Sequence, residues 1–178
     1  RILDLLQKEF SEIIYVLGNH DLRYELMMKT CSKDYAHNFD IISKLSLTSR
    51  GIKTVKYNDW LDMGSKLSIT HGAFHGATCH KKHYEAAGAK SVIFSHIHHV
   101  GCKAFQVRGN THHVWSLPAL SDLNPEYIKN RETNWSVGFG VINLHANSNF
   151  NFYIFQVWDN KLALPDGTVL TSNQKYPF

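Results

Sequence analysis

Ile13-Ile14-Tyr15-Val16-Leu17-Gly18-Asn19-His20-Asp21 runs an apolar segment straight into a polar tetrapeptide. The apolar part, over 12–17, reads as a buried strand. A polar cluster at the end of such a strand sits where α/β folds place their sites. Asn19 offers a neutral oxygen ligand, and His20 a ring nitrogen for metal binding or proton transfer. Asp21 can fix a histidine tautomer from behind. Taken alone, the tetrapeptide also fits a polar turn, because Gly and Asn favour turns and Asp caps a following helix.

Two segments further along weigh against the bare turn. Thr70-His71-Gly72 ends a second strand-like run, Lys66–Ile69, and Ser95-His96-Ile97-His98-His99 ends a third, Ser91–Phe94. Of the 12 histidines, seven fall between positions 71 and 99, a density that surface accident rarely produces at strand ends. His96 and His98 are two residues apart, so both can turn to one centre if the backbone leaves the sheet there. Imidazole suits Zn, Mn, Fe, Ni and Cu.

Gly18-Asn19-His20-Asp21, His71-Gly72 and Ser95-His96-Ile97-His98 occur in the order of the second half of a known signature. In these motifs the chain resembles the calcineurin-like metallophosphoesterases, over roughly positions 10 to 145. Asp122-Leu123-Asn124-Pro125-Glu126-Tyr127, then Asn134-Trp135 and Gly138-Phe139, resemble the phage and bacterial branch of small phosphodiesterase-like members. The resemblance implies Asn19, His71 and His96 as ligands of a second metal and His98 as a ligand of a first. It puts His20 beside the phosphate and leaving group, with Asp21 orienting its ring. A proton donor there would be worth roughly 10²–10⁴-fold.

Two departures stand out. Ser95 replaces the usual Gly, a small-for-small change. The family's Asp-x-His strand and Gly-Asp-x-x-Asp motif, which supply the first metal's ligands and the bridging carboxylate, do not precede Gly18. The expectation is therefore an N-terminally incomplete chain, lacking its first strand or two. The complete protein would carry two divalent metals (Mn, Zn, Fe or Ni), with at most one well held by this chain.

Composition fits one soluble, cytoplasmic domain over 1–178, its residues 146–178 a C-terminal β-hairpin extension. The 178 residues are 43% hydrophobic, enough for a core. No apolar run approaches the roughly 18 residues of a membrane span. Cys31, Cys79 and Cys102 are odd in number and irregular in spacing, which argues for a reducing compartment. The formal net charge of +4 is compatible with a polyanionic substrate.

Hydrophobic spacing predicts a first helix with Leu3, Leu6 and Phe10 on one face, then the strand over 12–17. A helix over about 21–29, a loop over 32–37 and a second helix from Phe39 to Arg50 follow. Short strands are expected over 52–57, 60–63 and 66–70, and a helix over 80–87. From Ala104 onward the pattern is β, with hairpins around Arg108-Gly109-Asn110, Ala146–Asn149 and Pro165-Asp166-Gly167. This order is that of an α/β two-sheet sandwich flanked by helices. The family's αββα four-layer fold is a version of it.

His75 is a candidate for substrate binding. Cys79, His80 and His83 could line the same groove or hold a structural zinc, although a solvated helix face is the plainer reading. The four tryptophans read as core or sheet-packing residues.

These features point to a metal-dependent phosphoester hydrolase acting on a phosphodiester, with nucleic acid or a nucleotide as the leading substrate class. A catalytically inactive scaffold of the same fold is the alternative. A nucleic-acid-binding module with a zinc built on Cys79 and Cys102 is a third reading, weakened by the lack of any Cys-x-x-Cys.

Overall fold

The apolar run before Gly18 forms strand β1 (Ile14–Val16), which pairs in parallel with β2 (Lys53–Val55), Ile14 opposite Lys53 and Val16 opposite Val55. The ladder extends one residue further, Leu17 N–H donating to the Val55 carbonyl at 2.9 Å. The computed structural model describes residues 2–129 and 131–172. Arg1, Asn130 and the end of the expected C-terminal extension, 173–178, lie outside the described residues.

The backbone gathers into two units, one running through Leu61 and including Thr70–Ala73, the other made of Asp62–Ile69 and the chain from Phe74 on. The smaller unit holds β1, β2 and four helices: α1 (Ile2–Glu9), α2 (Asn19–Thr30), α3 (Lys33–Ala36) and α4 (Ile41–Lys44). Its buried apolar residues are Leu17, Leu47 and Ile52. The predicted face of α1 exists but stays open, with Phe10 59% exposed.

The helix expected from Phe39 to Arg50 is instead a short one. Asp40 caps α4 by accepting from the N–H groups of Ile42 and Ser43, so the helix starts at Ile41. It ends at Lys44, and Ser46 then takes a left-handed φ of 54° that breaks the helical path. The predicted loop over 32–37 contains α3 and the start of a 3-10 turn. Apolar spacing marks the 39–50 segment as helical, but it misses the helix in 32–37 and cannot see a polar cap that restarts a helix.

The larger unit supplies the remaining elements: β3 (Leu61–Met63) and β4 (Leu67–Thr70), which straddle the division, α5 (Cys79–Ala86), β5 (Ser91–Phe94), β6 (Gly101–Val107) and β7 (Asn110–Ser116). They form one sheet in the order β3-β4-β5-β7-β6, with β5 parallel and β6 antiparallel to β7. Its interior is Leu67, Val92, Ile93, Phe94 and Val114, each at most 1% exposed. All four residues of β5 are buried, as an apolar run in a central strand should be.

The all-β part follows. Strands β8 (Val137–Leu144), β9 (Phe150–Trp158), β10 (Lys161–Ala163) and β11 (Val169–Thr171) form an antiparallel sheet in the order β11-β10-β9-β8. Gly138 is required by close approach, since a Cβ there would stand 2.1 Å from the Phe155 carbonyl oxygen. Among the described residues the fold is thus mixed α/β, with three sheets and several helices, which is compatible with an α/β sandwich. Trp115 packs edge-on against Phe150 and Phe152, as a sheet-packing residue. Trp158 does not: it is 65% exposed, at the last position of β9.

Candidate functional site

Gly18 ends β1 and starts α2. Its φ of −99° is ordinary, so backbone freedom does not explain the residue. Space does: a Cβ at Gly18 would meet the His71 ring at 2.8 to 3.2 Å. The glycine lets an imidazole from 53 positions away lie against the strand end.

That imidazole reaches Asn19. His71 Nε2 stands 3.0 Å from Asn19 Oδ1, so with the amide oxygen accepting, Nε2 carries the proton. The His71 ring also lies tilted against Tyr57, centroids 5.9 Å apart. Its backbone is set by a turn in which Thr70 Oγ1 donates to the Asp59 carbonyl, and Gly72 follows with a φ of 93°. Two side chains that the resemblance assigns to one metal therefore meet, although neither motif predicts this from its own sequence.

Asp21 makes the capping contact open to it. Its Oδ2 accepts from the Gly18 N–H at 2.7 Å, the carboxylate half of a capping box. Gly18 has no side chain to make the reciprocal bond. Burial, and then the neighbouring Asp21 carboxylate, raise the Tyr15 phenol above its ordinary value. Asp21 thus ties the end of β1 to the first turn of α2, which holds Asn19 in place. Among the described residues no hydrogen bond joins Asp21 to His20, and the His20 side chain is exposed on that first turn.

His96 and His98 belong to the larger unit. The backbone leaves the sheet at Ser95 and turns through His96 and Ile97, as convergence of the two histidines would require. His98 adopts a left-handed φ of 61°, unusual for a residue with a Cβ though less so for histidine. That backbone is held at both ends: its N–H donates to the Ser95 carbonyl, and its own carbonyl accepts from Ser136 N–H at 2.9 Å. Its ring stands edge-on to Trp135, centroids 4.7 Å apart. Non-glycine left-handed residues persist where surrounding bonds over-determine them, often at functional turns. His75 is exposed in the loop before α5.

Cys79, His80 and His83 overturn the solvated-face reading. All three are buried, His83 being 1% exposed. His83 stacks on Phe94 at 3.9 Å between centroids, meets Phe74 edge-on, and has Nδ1 2.8 Å from the Cys79 carbonyl, to which it donates. Burial pushes its pKa down to about 4, and the His80 and His96 rings push the same way. His80 is also lowered, by burial first and then by Lys103 and His99. Its Nδ1 lies 3.3 Å from Cys79 Sγ and its Nε2 3.4 Å from the fully buried Ser116 hydroxyl. These are neutral core histidines. His80 and His83, three residues apart, share one face of α5, and the helix turns that face onto β5 and β7, leaving Lys81 and Lys82 outside.

Tyr84, on the same helix, is buried and stacked on Phe105 at 4.7 Å. The three cysteines are free thiols, Cys79 buried and Cys102 exposed. Among the described residues, no three His, Cys, Asp or Glu side chains form a group that could hold a metal ion. Asn19 and His71 are two convergent donors, which is not a complete metal site. Among the described residues, no helix is long and apolar enough to cross a membrane. No protein-family model matches the sequence, and no curated protein gives a significant match to it.

Proposed function

We propose that this chain is the motif-bearing part of a metal-dependent phosphoester hydrolase of the calcineurin-like metallophosphoesterase type, its larger sheets belonging to an αββα core and its substrate a phosphodiester. The observation that carries the reading is the Asn19–His71 pair, 3.0 Å apart, with Gly18 shaped to admit the ring. An amide oxygen and an imidazole nitrogen at the ends of separate strands are chemically apt donors for a borderline divalent ion. In such enzymes the metal pair supplies charge neutralisation of the phosphate and a nucleophilic hydroxide.

This chain's own residues have narrower tasks. Asn19 and His71 present two donors held in register by the Gly18 cradle. Asp21 caps α2 and so positions Asn19. His20, exposed on the first turn, is free of packing duties and available to donate a proton to a departing oxygen. The over-determined turn at His98 fits a residue kept for its side-chain direction rather than its backbone comfort.

One observation favours the second reading, a scaffold without catalysis: the described residues offer no group of three metal-binding side chains. Calorimetric titration with Mn²⁺ and Zn²⁺, together with hydrolysis of chromogenic mono- and diesters, separates the two. The assays should use this chain alone and preceded by any residues its gene encodes upstream. Weak or single-site binding by the chain alone, and metal-dependent hydrolysis by the longer form that falls at least tenfold in His20→Ala, is the expected result. Two tightly held metals in the chain alone would refute the assignment of ligands. A longer form that binds no metal and hydrolyses neither ester would leave the scaffold reading.

A further inference from the structure

His98 turns the chain in a conformation that most residues avoid. At its left-handed φ of 61° the Cβ crowds a backbone carbonyl, and glycine is the residue that takes such a position without strain. A histidine there has to be held by its neighbours. Two backbone bonds do part of this, from His98 N–H to the Ser95 carbonyl and from Ser136 N–H to the His98 carbonyl. They fix where the Cβ points. They do not set the rotations about χ1 and χ2, which aim the ring.

A segment remote in sequence meets the ring. The Trp135 indole and the His98 imidazole cross at 63° with centroids 4.7 Å apart, the edge-to-face geometry that aromatic pairs favour. The indole is itself pinned. Next to it, the Ser136 carbonyl accepts from Ala119 N–H at 3.0 Å, and Gly138 N–H donates to the Ala119 carbonyl at 3.2 Å. Two residues before Ala119, Leu117 N–H donates to the carbonyl of the fully buried Phe94 at 2.7 Å. The Trp135 backbone is thus tied through Ala119 to the central strand β5. The segment keeps this register although the Ser136 hydroxyl is buried with no hydrogen-bond partner among the described residues. Neither a strained turn nor an unsatisfied hydroxyl serves stability. Trp115, by contrast, packs against Phe150 and Phe152 as sheet filling, whereas half-buried Trp135 sets its ring against an imidazole.

We propose that Trp135 is a positioning residue for His98: its indole sets the direction of the imidazole, and the Ser136–His98 backbone bond keeps the two segments in register, so that the ring is preset to receive a divalent metal. The role presupposes that His98 binds metal, as the proposed hydrolase site requires. Partners that orient a ligand from behind are worth about 10–100-fold in metal affinity.

The test is nuclear magnetic resonance of the chain, preceded by any residues its gene encodes upstream, with histidine labelled in ¹³C and ¹⁵N. In the metal-free protein the expected result is a single His98 rotamer, seen in its χ1 couplings, with cross-relaxation between its ring protons and the Trp135 indole. Trp135→Ala should average those couplings while the amide signals of β5 and β7 stay in place, and Trp135→Phe should keep the rotamer. Zn²⁺ is then titrated into the same samples and followed at the His98 ring. Trp135→Ala should raise the apparent dissociation constant roughly tenfold or more. In a His98→Ala background, followed by calorimetry, the same substitution should add nothing, because the two residues act as one unit. If Trp135→Ala fails to fold, Trp135→Leu, which keeps apolar bulk without a ring, gives the same reading. A zinc affinity unchanged by loss of the indole, or a His98 rotamer indifferent to it, overturns the positioning role and leaves the metal reading standing. Zinc that moves no His98 signal in the wild-type protein overturns both.

Discussion

Two histidine-bearing regions of this molecule look alike in sequence and differ in physics. His71 is half-buried, hydrogen-bonded to Asn19 and fitted against a glycine. His83 is enclosed between Phe74 and Phe94, its only ring proton spent on a backbone carbonyl within its own helix. The first is a polar group placed where a ligand could use it. The second is an aromatic plug that happens to carry nitrogens. Histidine density alone cannot separate these roles. Position can: the exit of a strand frees the ring from packing, whereas the inner face of a helix commits it.

Substitution should expose this difference most strongly in stability. His83→Ala empties a site between two aromatic rings and should cost about 3 kcal/mol, in the range of large-to-small core changes. His71→Ala should cost less than about 1 kcal/mol, as removal of a half-exposed ring does. Urea unfolding at pH 7 measures both, and equal losses would erase the distinction between the regions.

Acid should act on the same contrast. The folded pKa of His83, about 4, lies below the ordinary unfolded value near 6.5. The fold therefore favours the neutral ring. Its contribution is fully present above pH 6.5, declines as pH falls from there toward 4, and levels off below. In that window the unfolded chain binds the extra proton, so stability should fall by about 1.4 kcal/mol per pH unit for this one group. His80, lowered for the same leading reason, acts in the same direction. Urea midpoints at pH 7 and pH 5 in wild type and His83→Phe, which keeps the ring and cannot titrate, should show a flatter pH dependence in the variant.

Smaller effects belong to the strand-end region. Gly18→Ala forces the His71 ring aside and should cost roughly 1–2 kcal/mol, as overpacking does. It should also part His71 from Asn19, seen as a changed His71 imidazole ¹⁵N spectrum. An unchanged spectrum would mean the ring is not held by that cradle. Asp21→Ala removes the carboxylate cap of α2 and should cost roughly 1 kcal/mol. Hydrogen exchange should show faster opening confined to the first turn of α2, while His83 and its neighbours stay protected.

Much of the element order was readable because it rests on local patterns. The β6–β7 hairpin forms around Arg108-Gly109, where both residues take positive φ, and β8 and β9 span the alternation almost to the residue. The 39–50 helix was misread because Asp40 reorganises its backbone through its own side chain, a competition that apolar spacing does not record. Asp21 could be read either as cap or as partner of His20. Only the position of its carboxylate, on the Gly18 N–H, shows which bond it makes.

The sequence by itself determined where strands end in polar motifs, which residues share a helix face, and that the chain passes from mixed α/β to β. These follow from periodicity and turn chemistry, which act over a few residues. Tertiary structure alone decided that His71 reaches Asn19, that α5 buries His80 and His83 while exposing Lys81 and Lys82, and that one face of the last sheet is left apolar and open. Those outcomes depend on which surfaces meet in the fold, 52 positions apart for Asn19 and His71 and 36 for His80 and Ser116, for which no local pattern carries the information.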